Sequence, residues 1–332
     1  MNVLFYYPGF VNSDIPFAGT NEMLFAAARV FIDLGCSVAI ASEKLVRFEK
    51  MDGIDLIPVD DGVNDLSASF DLVIFSIGQR RCVKRRFQKW VRYQHCWHFP
   101  QNEYTDKYDF IIGVSDMHVN YMKWCGLPAD KLYCVPNTIN LDVFYDRKSY
   151  RKKGSAMFAG SLTRDKGIFI LLDALRRVRT AGKEVTLDFY GDSVLSGGGI
   201  TAAEQDGIAK EYGVVFHGAV DKDTLAVAYS SHEILCLPSV MESFGLVIAE
   251  AQACGCIPVA HNTGGVSAAV DNGKTAFLYD GNTAENLYKA MKIAFDRVND
   301  GMRNKAVDFA VNRFDRSRMR AAVEIIYRKL LT

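Results

Sequence analysis

The chain has 332 residues, of which 49% are hydrophobic and 23% charged, and 39 basic side chains balance 39 acidic ones. This length predicts two domains of about 150 residues each, and the composition excludes a disordered or fibrous protein. Zero net charge removes any global electrostatic reason to bind nucleic acid. No apolar run approaches the roughly 18 residues of a membrane-spanning helix.

The eight cysteines are scattered and lie mostly within apolar runs. This usage favours reduced, buried thiols over a disulfide framework. Cys254 and Cys256 are one residue apart and have no second Cys or His pair near them, so we expect no zinc site there. The N-terminus lacks the basic region of a signal peptide. We therefore expect a cytoplasmic protein.

The N-terminal half alternates predicted strands and helices. Residues 2–7 predict a buried strand, 23–34 an amphipathic helix and 37–41 a second strand, which together form a βαβ unit. The loop with Gly19 and Thr20 follows the first strand, where open α/β sheets bind ligands. The further predicted strands are 54–59, 71–76, 91–95 and 109–114.

A second alternation begins after a Pro- and Asn-rich segment, 131–144, and a charged stretch, 146–154. Strands are predicted at 155–159, 185–190, 214–217, 234–237 and 256–260. Helices are predicted at 166–180, 201–212, 222–230, 244–254, 283–298 and 302–313. This order predicts two doubly wound α/β domains, 1–146 and 147–316, with a last helix at 317–332 that folds back onto the first domain.

The most specific chemical pattern follows the predicted strand 234–237. Glu242 and Glu250 are eight residues apart, which separates them by about 80° around a helix and lets both face one cleft. The residues after Glu242 are Ser243, Phe244, Gly245 and Leu246. A helix that begins here suits a diphosphate, and carboxylates accept hydrogen bonds from sugar or ribose hydroxyls.

A second pattern follows the predicted strand 155–159. The strand ends at Gly160, and a short loop presents Arg164 and Lys166 before a helix. Two fixed cations can stabilise the negative charge of a leaving diphosphate without a metal. The alternative is a solvated, charged turn.

Together these patterns resemble the retaining glycosyltransferases of family 4, glycosyl transferases group 1, whose GT-B fold has two Rossmann-like domains facing a cleft. The resemblance implies that Glu242 contacts the transferred sugar, Glu250 the ribose, and Arg164 and Lys166 the leaving diphosphate. It implies a UDP- or GDP-sugar donor, a glycan, lipid-linked or small-molecule acceptor, and neither a cofactor nor a metal.

Weaker matches to the same family fall in the expected chain order. They are Pro136-Asn137, Tyr190-Gly191-Asp192, Phe216-His217-Gly218 and Thr263-Gly264-Gly265. The resemblance also implies that His95 faces the reacting sugar, with His98 as the alternative. Three positions depart from the family pattern: Thr20 and Thr138 stand where glycines are usual, and Ala268 where a glutamate is common.

Other patterns have competing interpretations. Asp221 and Asp223 resemble a metal-binding Asp-x-Asp motif, but their place before a helix favours capping. The glycines at 197–199 favour a loop over a phosphate cradle, since no strand directly precedes them. Arg80 to Arg92 holds seven cations with Phe87 and Trp90. That stretch is either a solvated flank or a peripheral contact with an anionic membrane.

Three other functions are consistent with some of the same features. A nucleotide-sugar epimerase on this fold needs acid–base carboxylates that the sequence does not locate. A two-lobed binding protein without turnover does not explain why both charged patterns are intact. An NAD-dependent dehydrogenase needs a Gly-x-Gly-x-x-Gly loop after the first strand, which is missing. The sequence does not specify the oligomeric state.

Overall fold

The computed structural model describes residues 1–7, 19–43, 45, 49–59, 69–76, 87–95, 107–192 and 199–331. The chain divides into two compact α/β units. Unit 1 comprises Met1–Thr138 and Arg316–Thr332, and unit 2 comprises Ile139–Asp315.

An eight-stranded sheet forms the centre of unit 1. Its strands are β1 (Asn2–Tyr6), β2 (Ser37–Ser42), β3 (Glu49–Met51), β4 (Ile54–Pro58), β5 (Leu72–Phe75), β6 (Lys89–Gln94), β7 (Phe110–Gly113) and β8 (Leu132–Cys134). Their order is β3-β4-β2-β1-β5-β6-β7-β8, and every pair except β3 with β4 is parallel. The central strands are buried, as expected for a parallel sheet covered by helices.

Helices of unit 1 pack on this sheet and on each other. They are α1 (Gly19–Asp33), α2 (Asp116–Trp124) and α9 (Arg316–Leu331). At the start of helix α2, the Ser115 hydroxyl accepts a hydrogen bond from the backbone amide of His118 at 3.1 Å. Helix α9 covers α1, with the Phe31 and Tyr327 rings edge to face at 6.2 Å. The last helix of the chain thus completes unit 1.

Unit 2 is a fully parallel six-stranded sheet with order β11-β10-β9-β12-β13-β14. Its strands are β9 (Ser155–Ala159), β10 (Thr186–Tyr190), β11 (Val215–Phe216), β12 (Ile234–Leu237), β13 (Ile257–His261) and β14 (Phe277–Tyr279). Its helices are α3 (Ile168–Thr180), α4 (Ala202–Tyr212), α5 (Lys222–Ser231), α6 (Leu246–Ala253), α7 (Ala284–Arg297) and α8 (Asp300–Phe314). Two parallel-sheet, Rossmann-like units confirm the predicted fold class.

The division between the units lies after Thr138, earlier than the boundary predicted at residue 146. Phe144 is fully buried, with its ring 6.2 Å from that of Tyr229. Arg151 donates to the carbonyl oxygen of Tyr229 at 2.8 Å and pairs with Asp146 at 3.0 Å. The charged stretch that resembled a linker is therefore fixed to unit 2, because its cation is bound by backbone carbonyls.

Several predicted features are resolved by local contacts. At the start of α5, the Asp221 carboxylate accepts a hydrogen bond from the backbone amide of Thr224 at 2.7 Å. The capping interpretation is therefore confirmed. The six described cysteines are all free thiols. Burial raises the pKa of Cys254 and of Cys256 to about 12, which keeps both as thiols. Cys82, Cys96 and the first two glycines of 197–199 lie outside the described residues.

Trp90 takes no part in the membrane contact proposed for the stretch from Arg80 to Arg92. Its ring is 1% exposed, and its indole nitrogen donates to Gln88 at 2.8 Å. Arg92 is likewise buried and donates to Gln94, because β6 is a central strand. Phe87, just before β6, is exposed, while residues 80–86 lie outside the described part of the chain. Among the described residues, no helix combines the length and apolar content that crossing a bilayer requires.

Candidate active site

The loops after β9, β10, β12 and β13 share one edge of the unit 2 sheet, because the carboxyl ends of parallel strands lie together. These loops span residues 160–167, 191–192, 238–245 and 262–265. Open α/β sheets bind their ligands at this edge.

The loops after β9 and β12 interlock. The amide of Val240 donates to the carbonyl oxygen of Asp165 at 2.8 Å. Gly167 has a φ of 76°, and a Cβ atom there would lie 2.1 Å from the Pro238 carbonyl oxygen. Only glycine fits this close approach. The contact fixes Lys166 beside the loop that carries the first glutamate.

Lys166 and Glu242, which the sequence places 76 residues apart, form an ion pair at the junction of these loops. The Lys166 Nζ lies 2.6 Å from Glu242 Oε1. The Ser239 hydroxyl donates to the same oxygen at 2.8 Å. The side chains are 26% and 14% exposed, so the pair is partly desolvated but reachable from solvent. Such a charge-assisted bond is stronger than a neutral one.

The loop after β13 supports the backbone around Glu242. The amide of Gly265 donates to the Glu242 carbonyl at 2.9 Å, and a Cβ on Gly265 would lie 2.0 Å from the Ser243 carbonyl oxygen. The Thr263 hydroxyl donates to the Val240 carbonyl at 3.0 Å. The Thr-Gly-Gly pattern is therefore a support for the glutamate loop.

Two supporting side chains were not singled out from the sequence. His261 Nδ1 lies 2.9 Å from the Ser239 carbonyl oxygen, and the Asn282 amide donates to the Pro238 carbonyl at 3.0 Å. Neither residue belongs to a motif in the sequence. Only the folded contacts connect them with the site.

The segment after Glu242 leads into α6. Gly245 adopts a left-handed φ of 79° at the N-terminal cap, and Leu246 begins the helix. Phe244 is 5% exposed and packs edge to face on Phe314 at 5.4 Å. Ser243 lies just before this helix start. The positive end of the α6 dipole therefore lies at the carboxyl edge of the sheet, where it suits an anion.

Glu250 has different surroundings from Glu242. It lies in α6 and is only 6% exposed. The Tyr229 hydroxyl donates to its Oε2 atom at 3.2 Å, from the neighbouring helix α5. A buried carboxylate needs such donors to offset lost hydration. Glu250 is consequently fixed by helix packing, whereas Glu242 is fixed within loops.

Arg164 points away from the Lys166–Glu242 pair. Its guanidinium lies 3.8 Å from Glu204 and 4.7 Å from the centre of the Phe169 ring. The Arg164 side chain is 70% exposed, so its pair with Glu204 contributes little stability. The structure therefore brings one of the two predicted cations onto Glu242 and leaves the other at the surface.

The loops after β9 and β10 also interlock. A Cβ on Gly191 would lie 1.9 Å from the Gly160 carbonyl oxygen. The amide of Gly160 donates to the backbone carbonyl oxygen of Tyr190 at 3.0 Å. The amide of Leu162 donates to the Asp192 carbonyl at 3.0 Å. Gly160 and Asp192 thus shape the backbone at the edge.

An aromatic pair stands at the ends of β10 and β11. The Tyr190 and His217 rings stack at 4.3 Å with an angle of 4° between their planes. Asp188 lies 2.8 Å from His232 and 3.6 Å from His217. Although burial alone raises the pKa of Asp188, the two histidines hold it below its ordinary value. A flat, partly exposed ring surface of this kind suits a planar ligand group.

In unit 1, His95 follows β6. The centre of its ring lies 4.2 Å from that of Tyr93 with an angle of 37° between the planes, and its Nε2 atom is buried without a hydrogen-bond partner. Burial, with the charges of Arg92 and His118, lowers the pKa of His95 to about 3. The imidazole is therefore neutral near pH 7. The alternative, His98, lies outside the described residues.

Gly19 and Thr20 form the first turn of α1. Their side-chain surroundings lie outside the described part of the structure. Their proposed role at the donor phosphate therefore stays a prediction.

Residues 153–296 match the family glycosyl transferases group 1. This segment contains all four interlocking loops. A D-inositol 3-phosphate glycosyltransferase of Arthrobacter sp. is 34% identical over 147 residues, which cover 42% of this chain and 34% of that protein. An uncharacterized protein in the cps region of Klebsiella pneumoniae is 26% identical over 66% of this chain and 61% of its own length. The matched segments thus span only part of these relatives.

Solved structures extend the likeness over the whole chain. Sucrose-phosphate synthase from Thermosynechococcus elongatus superposes with a TM-score of 0.80 at 17% identity, covering 99% of each chain. Anabaena HepE in complex with UDP-glucose superposes with a TM-score of 0.77 at 16% identity, covering 99% of this chain and 100% of that one. Because the sequence identities are this low, the superpositions establish only a shared fold, which is GT-B. In sequence, the similarity to the glycosyl transferases group 1 family covers residues 153–296.

Proposed function

We propose that the chain is a retaining glycosyltransferase. It moves a hexosyl group from a nucleotide diphosphate sugar, linked to UDP or GDP, to a glycan, lipid-linked or small-molecule acceptor. The observation that carries the proposal is the Lys166–Glu242 pair, at 2.6 Å, which the interlocked loops hold at the ligand-binding edge of unit 2. Relatives named as glycosyltransferases and the UDP-glucose complex of HepE support this assignment.

Lys166 has the chemistry to stabilise the leaving group. Negative charge develops on the diphosphate as the glycosidic bond breaks, and a fixed ammonium offsets it. In the donor-free state, Glu242 neutralises Lys166. When donor binds, Lys166 turns to the diphosphate and Glu242 accepts hydrogen bonds from the transferred sugar. Arg164 is weakly paired and exposed, so little is lost when it swings to the same phosphates.

The nucleoside is held by the remaining groups of unit 2. Glu250 accepts hydrogen bonds from the ribose hydroxyls, and the α6 N-terminus contacts the diphosphate. The stacked rings of Tyr190 and His217 offer a flat surface to the base.

Retention at the anomeric carbon follows from a front-face mechanism. In this mechanism the leaving phosphate oxygen takes the acceptor proton on the face from which it departs. Glu242 is bound to Lys166 and Ser239 and so positions the sugar instead of acting like one of a glycosidase's paired carboxylates. His95 is neutral, so it suits a hydrogen bond to a sugar hydroxyl.

A panel of nucleotide sugars tests the proposal. We expect slow hydrolysis of one donor, with release of nucleoside diphosphate and, by NMR, a sugar of unchanged anomeric configuration. An epimerase would instead invert a ring carbon of the sugar, and a binding protein would bind donor without turnover. Inverted product or no release across UDP- and GDP-sugars would contradict a retaining transferase.

We also predict that transfer needs no metal ion, since Lys166 and Arg164 supply the positive charge at the diphosphate. Activity should be unchanged by excess EDTA. Within the described residues, no three His, Cys, Asp or Glu side chains group as a metal site. Loss of activity with EDTA and recovery with Mn²⁺ or Mg²⁺ would overturn the prediction.

A further inference from the structure

Each of the two functional glutamates accepts a hydrogen bond from a buried hydroxyl, Glu242 from a residue of its own loop and Glu250 from a residue on the neighbouring helix α5. The Ser239 hydroxyl donates to Glu242 Oε1 at 2.8 Å. The Tyr229 hydroxyl donates to Glu250 Oε2 at 3.2 Å. Tyr229 and Ser239 are 0% and 1% exposed. Neither hydroxyl is placed to react, so the contacts point to orientation of the carboxylates.

Contacts hold Tyr229 at its ring, at its carbonyl oxygen and at its hydroxyl. Its ring packs against Phe144 at 6.2 Å, and its carbonyl oxygen accepts from Arg151 at 2.8 Å. Burial and the Glu250 carboxylate raise the pKa of the Tyr229 phenol well above its ordinary range, so the hydroxyl remains a donor. The α5 helix thereby presents a fixed donor to the carboxylate on α6.

Ser239 is fixed in the loop that follows β12. Its carbonyl oxygen lies 2.9 Å from His261 Nδ1, which holds the backbone in place. Its hydroxyl shares Glu242 Oε1 with Lys166. When Lys166 turns to the diphosphate, the Ser239 hydrogen bond to this oxygen stays in place. It therefore preserves the orientation of Glu242 during the chemical step.

We propose that Tyr229 and Ser239 are positioning residues of the transfer reaction. Tyr229 orients Glu250 toward the ribose, and Ser239 orients Glu242 toward the transferred sugar. The inference rests on the proposed roles of the two glutamates. It assigns the two hydroxyls different kinetic effects, because the ribose is bound equally in ground and transition states whereas the sugar changes shape.

Two single substitutions separate these effects. Tyr229→Phe keeps the ring packing, and we expect the donor KM to rise about tenfold with kcat within about twofold. Ser239→Ala should lower kcat about tenfold and change KM little. Ser239→Thr restores a hydroxyl and should recover part of kcat. Kinetics are measured well below the unfolding midpoint of each variant.

Matched controls remove buried hydroxyls elsewhere. Tyr108, in unit 1, is 2% exposed, and Ser155, at the amino end of β9, is 1% exposed. We expect Tyr108→Phe and Ser155→Ala to shift the unfolding midpoint without a selective change in KM or kcat. The inference would be overturned if Tyr108→Phe raised KM selectively as Tyr229→Phe does, or if Ser155→Ala lowered kcat selectively as Ser239→Ala does.

Double-mutant cycles decide between positioning and general stability. The effect of Tyr229→Phe should vanish in a Glu250→Ala background, and that of Ser239→Ala in a Glu242→Ala background. Equal fold losses in both backgrounds would overturn the positioning role. If Glu242→Ala and Glu250→Ala themselves leave the kinetics unchanged, the proposed function fails first. The two failures are therefore distinguishable.

Discussion

Glu242 and Glu250 differ in their surroundings more than in their chemistry. Glu242 lies in a loop, partly exposed and paired with Lys166 at 2.6 Å. Glu250 is 6% exposed within α6. A carboxylate that exchanges partners as donor binds suits the reacting sugar, whereas one fixed by helix packing suits a part of the donor that does not react.

This difference predicts separate kinetic effects. Glu242→Ala removes a contact that strengthens as the sugar distorts, so kcat should fall more than tenfold, the factor that corresponds to about 1.36 kcal/mol. Glu250→Ala should mainly weaken nucleotide binding and raise KM. Steady-state kinetics with UDP titration by calorimetry measure both. A kcat within about threefold of the parent in Glu242→Ala would refute the role given to Glu242.

His95 predicts a dependence of stability on pH. Its folded pKa of about 3 lies below the ordinary value of 6.5, so the unfolded chain binds this proton more tightly. The neutral ring is fully accommodated above about pH 6.5, and stability is lost as pH falls from there toward 3. We expect His95→Gln to lose less stability between pH 7 and pH 4.5, measured by thermal unfolding. An unchanged pH slope would contradict this prediction.

At the residue scale, the sequence predicted which side chains carry charge at the site but not how they pair. Lys166 and Glu242 were assigned to different parts of the donor, yet they contact each other across 76 positions. Arg164 was expected beside Lys166 and faces Glu204 instead. Spacing along the chain fixes neighbours within a helix or loop, whereas partners across a sheet edge depend on packing.

Among the elements, the junction of the β9 and β12 loops gives a sharp test. Gly167→Ala places a methyl group in a left-handed residue and 2.1 Å from the Pro238 carbonyl oxygen. We expect it to destabilise unit 2 by roughly 3 kcal/mol and to lower activity, because Lys166 shifts.

Gly182→Ala is the matched control, since Gly182 has a φ of 83° but no atom within 4 Å of the added Cβ. It carries the backbone strain without the collision, so it should cost about 1 kcal/mol and leave activity intact. Chemical denaturation measures both. Equal losses in the two variants would show that the collision with Pro238 contributes nothing.

The predicted elements agree with the structure where patterns are long. Amphipathic helices such as α3 and α7 were located within two or three residues, because their apolar period repeats over several turns. Strand β8 spans Leu132–Cys134 and was overlooked, since three residues in a Pro- and Asn-rich segment show no period. Likewise, the linker was placed too late because the bonds of Arg151 to backbone carbonyls leave no sequence signal.

For the molecule as a whole, peripheral attachment to the cytoplasmic face of a membrane stays a proposal. Fewer residues of the stretch from Arg80 to Arg92 can now contact the membrane. Trp90 and Arg92 are in the core of unit 1 and do not contribute. Phe87 is 87% exposed just before β6. The remaining candidates are this ring and the cations that precede it in the sequence, each worth about 1 kcal/mol near an anionic leaflet.

Vesicle co-sedimentation tests the attachment. We expect binding that requires anionic lipid, weakens with salt and drops when Arg85 and Arg86 become Gln and Phe87 becomes Ser. Ile293→Ser, at an exposed apolar position of unit 2, is the control and should bind as the parent does. Equal recovery with neutral and anionic vesicles would reject the attachment and leave the transferase proposal unaffected.

The packing of α9 on α1 means that unit 1 gains its last helix only after unit 2 has been synthesised. Unit 2 is one continuous segment, Ile139–Asp315, whereas unit 1 also needs Arg316 onward. Since synthesis proceeds from the N-terminus, the ribosome releases all of unit 2 before the apolar stripe of α1, which includes Phe31, meets its cover. For that interval the stripe on α1, although synthesised before unit 2, has no α9 to cover it.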